Sequence, residues 1–298
     1  MSVPEPVVLA LREAGLDPLY VEDLIRATVE EDLGGGADVT SQATIAPDQR
    51  ASAVLETREA GIVAGLPVME AVFAAVAGDD VELERHVADG DAVGAGSKIL
   101  SVHARTRHLL LAERTALNLG SRLSGIATAT RRWVEAIAGT GAVVRDTRKT
   151  MPLMRPLDKY AVRVGGGQNH RSTLSESALI KDNHVAAAGS VTAAYQAVRT
   201  AHPDLPIEVE VDDVADAIAA VEAGAELVLL DNFTVDQVVE AVEAVDGRAR
   251  LEVSGGLTVE QAPAYAATGV DYLATGALTH SVRALDLGLE VVAVAGGQ

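Results

Sequence analysis

The sequence contains no cysteine. Disulfides, thiolate nucleophiles and zinc–thiolate sites are therefore excluded. Aromatic residues amount to only 3% of the chain, so a core must be assembled from Ala, Val, Leu and Ile. No apolar run is long enough to span a bilayer. The N-terminal MSVPEPVVLALREAG lacks a basic segment followed by a small-residue cleavage site. These absences read as a soluble, cytoplasmic protein. Positive charge is also scarce, with a formal net charge of -19 over 298 residues. That balance repels nucleic acid and anionic membranes, so neither is expected as a partner. Most of the acidity reads as a solvated surface. The length allows one large domain or two.

Against this background the few cations are unevenly placed. There are four lysines in all. Two of them, Lys149 and Lys159, fall within DTRKTMPLMRPLDKY (Asp146 to Tyr160), together with Arg148 and Arg155. Lys181 follows, after Arg163 and Arg171.

From about Ala142 onward, short apolar runs ending in polar residues alternate with Ala-rich amphipathic stretches. The runs are AVVRDTRK, SALIKDNH, IEVEVD, LVLLDNF, LEVSGG and VDYLATGA. VADAIAAVEAGA has a near-3.6 apolar period and Gly224 as a C-terminal cap. TVDQVVEAVEAV has Thr234 as N-cap and Val238, Val239 and Val242 on one face. TVEQAPAYAATG is expected to be helical from Thr258 to Gly269. The repeat predicts parallel βα units closed or nearly closed into a barrel. The first ~115 residues instead show short strand-like runs separated by Gly and Asp turns, a separate α+β domain with an antiparallel sheet. The turn DGDAVGAGSKIL resembles that of biotinyl and lipoyl carriers but lacks their modified lysine. The segment between the two regions reads as a helix interrupted near Ser124-Gly125, with Arg114, Asn118 and Arg122 on one face.

In a βα barrel the residues just past the strand C-termini build the site. Here those ends are Arg148-Lys149, Lys181, Glu210 with Asp212, Asp231, Ser254-Gly255-Gly256 and Thr275-Gly276. Arg148, Arg171 and Lys181 suit a carboxylate clamp. His170 is a further donor, or a structural histidine. Glu210 and Asp231 suit ribose hydroxyls, or a Mg²⁺ bridging to pyrophosphate. The two Gly-rich ends are structural turns or a phosphate cradle. The set accommodates two kinds of anion, a small carboxylate and a phosphorylated sugar.

The motifs EDLGGGADVTS, REAGIVAG, ERTALN, LSGIAT, RDTRKT, KYAV, GGGQNHR, LIKDNH, EVEVD, LLDNF, SGG and GVDYLATGALTHS occur in order from about Glu30 to Leu289. Together they resemble the quinolinate phosphoribosyltransferases. The resemblance implies an N-terminal α/β sandwich domain (1–117, rejoined by 284–298) and an incomplete, open TIM-like α/β barrel (118–283). It implies transfer of phosphoribosyl from phosphoribosyl pyrophosphate to quinolinate, with loss of CO₂, using Mg²⁺ and no organic cofactor. By motif, Arg148, His170, Arg171 and Lys181 would bind quinolinate. Arg114 would reach the same pocket from the other subunit of a homodimer, itself compatible with a higher oligomer. Lys149, Glu210, Asp231, Ser254, Gly255, Gly256, Thr275, Gly276 and His280 would line the phosphoribosyl side. Of these, Lys149, Glu210 and Asp231 would be catalytic, and Glu210 and Asp231 would hold the metal, directly or through substrate or water. Arg155 and Lys159 receive no role. A molybdenum-transport-associated paralogue of the same fold and a phosphosugar isomerase or lyase are the alternatives. Three positions depart from the family pattern: Leu153 and Thr173 stand where Gly is usual, and Gly120 where a larger apolar residue is usual.

Overall fold

The structure, a computed structural model, describes residues 3–295. Its strands, in chain order, are β1 (Arg50–Thr57), β2 (Gly61–Ile62), β3 (Glu82–Arg85), β4 (Ala92–Val93), β5 (Lys98–Arg105), β6 (Val143–Arg145), β7 (Ala178–Ile180), β8 (Ile207–Val211), β9 (Leu227–Asp231), β10 (Arg250–Ser254), β11 (Tyr272–Ala274) and β12 (Leu287–Ala295). The chain divides into two compact units, 1–129 with 156–165 and 282–298, and 130–155 with 166–281. The sequence reading started the second domain at 118 and did not anticipate that 156–165 returns to the first. Residues 1–2 and 296–298 of the expected first domain lie outside the described residues.

The first unit holds an antiparallel sheet in the order β12-β1-β5-β3. Alternation places Ala51, Ala53, Leu55 and Thr57 of β1 on its buried side. The helix Pro18–Leu33 starts with Asp17 accepting a bond from the Leu19 amide and Pro18 in its first turn, and stops at Gly34 with φ 57°. Leu66–Ala77 is apolar on nearly every side and is buried accordingly. Its Met69 fills the space left by Gly120, where an added Cβ would lie 2.3 Å from the sulfur. The larger residue usual at this position is thus replaced by its neighbour's side chain.

The expected interruption at Ser124-Gly125 is absent: Thr106–Ala136 is one helix of 31 residues. Packing accounts for the pair. A Cβ on Gly125 would stand 2.3 Å from the Arg283 carbonyl oxygen. The Ser124 hydroxyl donates to the Ala64 carbonyl and accepts from the Ala64 amide. Close approach of another segment offsets the roughly 1 kcal/mol that Gly costs in a helix interior.

The second unit is built on a six-stranded parallel sheet in the order β6-β11-β10-β9-β8-β7. All six sequence runs supply its strands. Among the described residues no ladder joins β7 back to β6, so the barrel is open. The helix Val214–Ala223 is capped by Asp213 and by Gly224 at φ 106°. Val235–Val245 begins with reciprocal bonds between Thr234 and Gln237. It buries Val238, Ala241 and Val245 and leaves Val239 exposed, correcting the face assigned from sequence. The helix expected from Thr258 spans only Ala262–Ala266. Pro263, lacking an N–H, sits in its first turn, and Thr258 to Gln261 form a turn ahead of it. No helix among the described residues is long and apolar enough to cross a membrane.

Candidate active site

Side chains two apart on a strand share a face. On β8 this aligns Glu208 with Glu210, on β9 Leu229 with Asp231, and on β10 Glu252 with Ser254. Leu179 of β7 is likewise followed by Lys181. The second member of each pair forms the rim, and the first lies one layer deeper. All of these but the buried Glu208 line a single cavity of about 410 Å³ together with Thr147, Arg148, Lys149, His170, Arg171 and Ala274.

The cationic wall is fixed by Asp146, which is fully buried. Its carboxylate accepts from the His170 amide at 2.7 Å and the Asn169 side chain at 2.8 Å. Backbone bonds join Gln168 to Val144 and Asp146, and Arg145 bridges Gln168 in parallel. The NHR segment thus runs alongside the end of β6 and brings Arg171 near Arg148. Arg155 ties the same two loops, donating to the Ser172 carbonyl at 2.9 Å and the Thr150 hydroxyl at 3.2 Å. Lys159 is buried within the first unit and does not line this cavity.

Two guanidiniums here have donors left over. Arg171 donates one bond to the Ser177 carbonyl. The buried Nε atoms of Arg148 and Arg171 meet no acceptor among the described residues. Burial, and then the charge of Arg148, lower the pKa of Arg171. Buried donors without partners cost free energy, and two like charges add to that cost. An anion in the cavity would offset the like charges.

On the opposite wall Lys181 Nζ pairs with Glu210. Asp231 accepts from the Asn232 side chain at 2.8 Å. Burial and then Asp212 raise the Asp231 pKa, while Lys181 and Lys149 hold it down. Gly255 is required by this arrangement: its φ is 99°, and a Cβ there would lie 2.3 Å from the Asn232 side-chain oxygen. Gly276 serves Lys149 similarly, since a Cβ would come within 2.8 Å of both Lys149 and His280. Thr279 donates to the Lys149 carbonyl at 2.7 Å. Thr275 is buried. Gly255, Gly256, Thr275, Gly276 and His280 therefore stand beside the cavity-lining residues rather than among them. A helix follows Gly276 directly (Ala277–His280), whereas none starts after Gly256 until Ala262.

Glu252, which lines the cavity, and its neighbours Arg145 and Glu208 escaped sequence reasoning. His170 Nε2 lies 2.6 Å from Glu208 and 3.8 Å from Glu252, and Arg145 bonds Glu252 while stacking over Tyr272 at 4.7 Å. Glu208 is 3% exposed and Glu252 0%. Burial, and then the Glu208 charge, push the Glu252 carboxyl up to about 7. The available signal was a charge in mid-strand of a sheet whose strands are otherwise apolar.

Comparison with known proteins decides the family. The model of the quinolinate phosphoribosyl transferase C-terminal domain matches residues 126–290, and that of the N-terminal domain residues 38–124. The chain belongs to the quinolinate phosphoribosyltransferase family. It is 52% identical over 273 residues to a nicotinate-nucleotide pyrophosphorylase (carboxylating) of Mycobacterium leprae, covering 90% of this chain and 96% of that one. It is 37% identical to quinolinate phosphoribosyltransferase (decarboxylating) 1b of Nicotiana tabacum, over 92% of this chain and 83% of the relative. A crystal structure of NadC from Streptococcus pyogenes superposes with a TM-score of 0.89 at 37% identity, covering 95% of this chain and 99% of that one. Within this family framework, Leu153 occupies the usual glycine position at φ 64°, the left-handed region, with its side chain 83% exposed. The loop keeps the conformation that glycine suits. Thr173 is not among the residues with positive φ, so that position needs no glycine.

Proposed function

We propose that this chain joins quinolinate to phosphoribosyl pyrophosphate, giving nicotinate mononucleotide, pyrophosphate and CO₂. The observation that carries the reading is that Arg148 and Arg171, each with a buried and unpartnered Nε, line one cavity together. A planar guanidinium suits bidentate pairing with a carboxylate, and quinolinate has two. His170 and Lys181 complete the acceptor side in this reading. The other wall, with Lys149, Glu210, Asp231 and Ser254, takes the phosphoribosyl group, and the Gly255-Gly256 and Thr275-Gly276 turns with His280 flank it.

Holding the ring nitrogen in line with the anomeric carbon is an orientation effect. Glu210 and Asp231 stabilise positive charge developing at that carbon, and Lys149 stabilises the departing pyrophosphate. Mg²⁺, when bound, would neutralise pyrophosphate charge. Glu210 is already paired with Lys181, and the only cluster of three ligand-type groups among the described residues lies elsewhere. Glu210 and Asp231 therefore fit a metal held mainly by substrate oxygens and reached through water. Arg114 is exposed on its helix in the first unit. In this reading a second subunit of a homodimer receives it. Both substrates are multiply charged and do not cross bilayers unaided, which suits a cytoplasmic enzyme.

Purified protein with Mg²⁺ and phosphoribosyl pyrophosphate should release CO₂ and form mononucleotide from quinolinate, and leave nicotinate unchanged. Absence of product from quinolinate, or equal turnover of nicotinate, would overturn the assignment.

A further inference from the structure

Two arginines match a dicarboxylate only if their guanidiniums are held at a fixed separation, and Arg148 and Arg171 stand on different segments, one after β6 and the other in the loop before β7. Two cross-links join those segments. One precedes both arginines in the chain: Asp146 takes the His170 amide and the Asn169 side chain. The other follows both: Arg155 donates from Nη1 to the Ser172 carbonyl at 2.9 Å and from Nε to the Thr150 hydroxyl at 3.2 Å. Arg148 is thus bracketed by Asp146 and Thr150, and Arg171 by His170 and Ser172. Local structure supports the second cross-link. The Thr150 amide turns back to the Arg148 carbonyl at 2.9 Å. The chain then reverses over residues 151–154, where the Met154 amide bonds the Met151 carbonyl at 3.1 Å and Leu153 takes its φ of 64°. This reversal returns Arg155 to a residue five positions behind it. Ser172 is held from its other side as well, its amide donating to Glu176 at 2.6 Å. Arg155 is half-buried and does not line the cavity, so both of its acceptors are protein atoms. A planar guanidinium serves two acceptors at a fixed angle, whereas lysine has one nitrogen on a flexible stem.

We propose that Arg155 is a positioning residue for the acceptor substrate, fixing the separation of Arg148 and Arg171 so that the pair is matched to adjacent carboxylates on one ring before the ligand arrives. The inference rests on the functional reading above. Ordering the two segments ahead of binding removes a cost that the ligand would otherwise meet. Without this cross-link the segments stay joined at the Asp146 end, and the repulsion between two guanidiniums spreads them at the other. A ligand with two carboxylates needs both guanidiniums in register and loses most. A ligand with one carboxylate needs only one of them and loses little. Arg155 therefore sets selectivity for the dicarboxylate as well as its affinity. No chemical step passes through Arg155, so turnover with both substrates bound changes little.

The test compares the parent with Arg155→Lys and Thr150→Val. In Arg155→Lys, KM for quinolinate should rise about 30-fold, while kcat and KM for phosphoribosyl pyrophosphate stay within about threefold. In calorimetric titrations of the same variant, the preference for pyridine-2,3-dicarboxylate over pyridine-3-carboxylate should fall about tenfold or more, through weaker binding of the dicarboxylate. Thr150→Val removes one acceptor of the cross-link and should move both quantities the same way by about threefold. A role in folding alone gives a different pattern: kcat falls with the fraction of folded protein, while KM and ligand preference match the parent. That pattern, or parental KM and preference in a fully folded Arg155→Lys, would overturn the proposal. Should Arg155→Lys not fold, Thr150→Val decides alone, with unchanged KM and preference counting against it. A parent that makes no product from quinolinate, or binds the two pyridine ligands equally, would count against the functional reading instead.

Discussion

The two units treat buried charge differently. In the first, Arg122 grips the fully buried Asp158 with two bonds, at 2.9 and 2.7 Å, and Arg85 grips Glu70 in the same way. In the second, Arg148 and Arg171 line a cavity, and their buried Nε donors find no acceptor among the described residues. The first arrangement is complete without a ligand and serves the fold. The second is left incomplete, and in the proposed reading an anion completes it.

Substitutions should separate the two kinds. Arg171→Ala is expected to lower kcat/KM for quinolinate by about 10³ or more, while the melting temperature stays level or rises, because an uncompensated charge has gone. Arg122→Ala should do the reverse, costing about 3–5 kcal/mol of stability by leaving Asp158 buried and unpaired. A large stability loss in the first variant, measured by denaturant unfolding, would erase the distinction.

Arg114 sharpens the comparison from the other side, as a first-unit cation without a structural grip of this kind. Arg114→Ala and Arg148→Ala, each inactive alone, should recover about a quarter of parental activity when their subunits are exchanged, since random pairing makes one intact site in half of the dimers. No recovery after demonstrated exchange would confine Arg114 to its own subunit.

Glu252 gives a pH signature to the second unit. Its folded pKa, about 7, is raised above the ordinary carboxyl value of 4.5. Its contribution to stability is therefore fully present below about pH 4.5 and is lost as pH rises through about 7. Comparing Glu252→Gln with the parent by urea unfolding should show that slope reduced in the variant. The smallest effect is expected at Leu153. Leu153→Gly should stabilise the protein by about 1 kcal/mol by relieving the left-handed backbone, with kcat/KM changed less than about twofold.

The parallel strands were legible because βα repeats carry their own punctuation, and the rim because polar residues at the ends of apolar runs are conspicuous. Arg148, Lys149, His170, Arg171, Lys181, Glu210, Asp231 and Ser254 do converge on one cavity. What stayed hidden depended on contacts distant in sequence. Glu208 looked like one more residue of an alternating strand, and its partner His170 lies 38 positions away in the chain by residue number. Ser124-Gly125 looked like a break because the segment that packs on it, Arg283-Ala284, cannot be inferred from local pattern. Asp146, the residue that orders the cationic wall, stood in the conspicuous DTRKT segment but drew no notice beside its charged neighbours.

The claim that Arg148 and Arg171 await a dicarboxylate is tested most directly by calorimetric titration. Pyridine-2,3-dicarboxylate and pyridine-3-carboxylate should be compared on the same protein, with and without Mg²⁺ and pyrophosphate. A missing carboxylate forfeits charge-assisted bonds worth about 1.5–3 kcal/mol each, so the dicarboxylate should bind about 100-fold more tightly or better. Equal affinity for the two ligands would contradict the account.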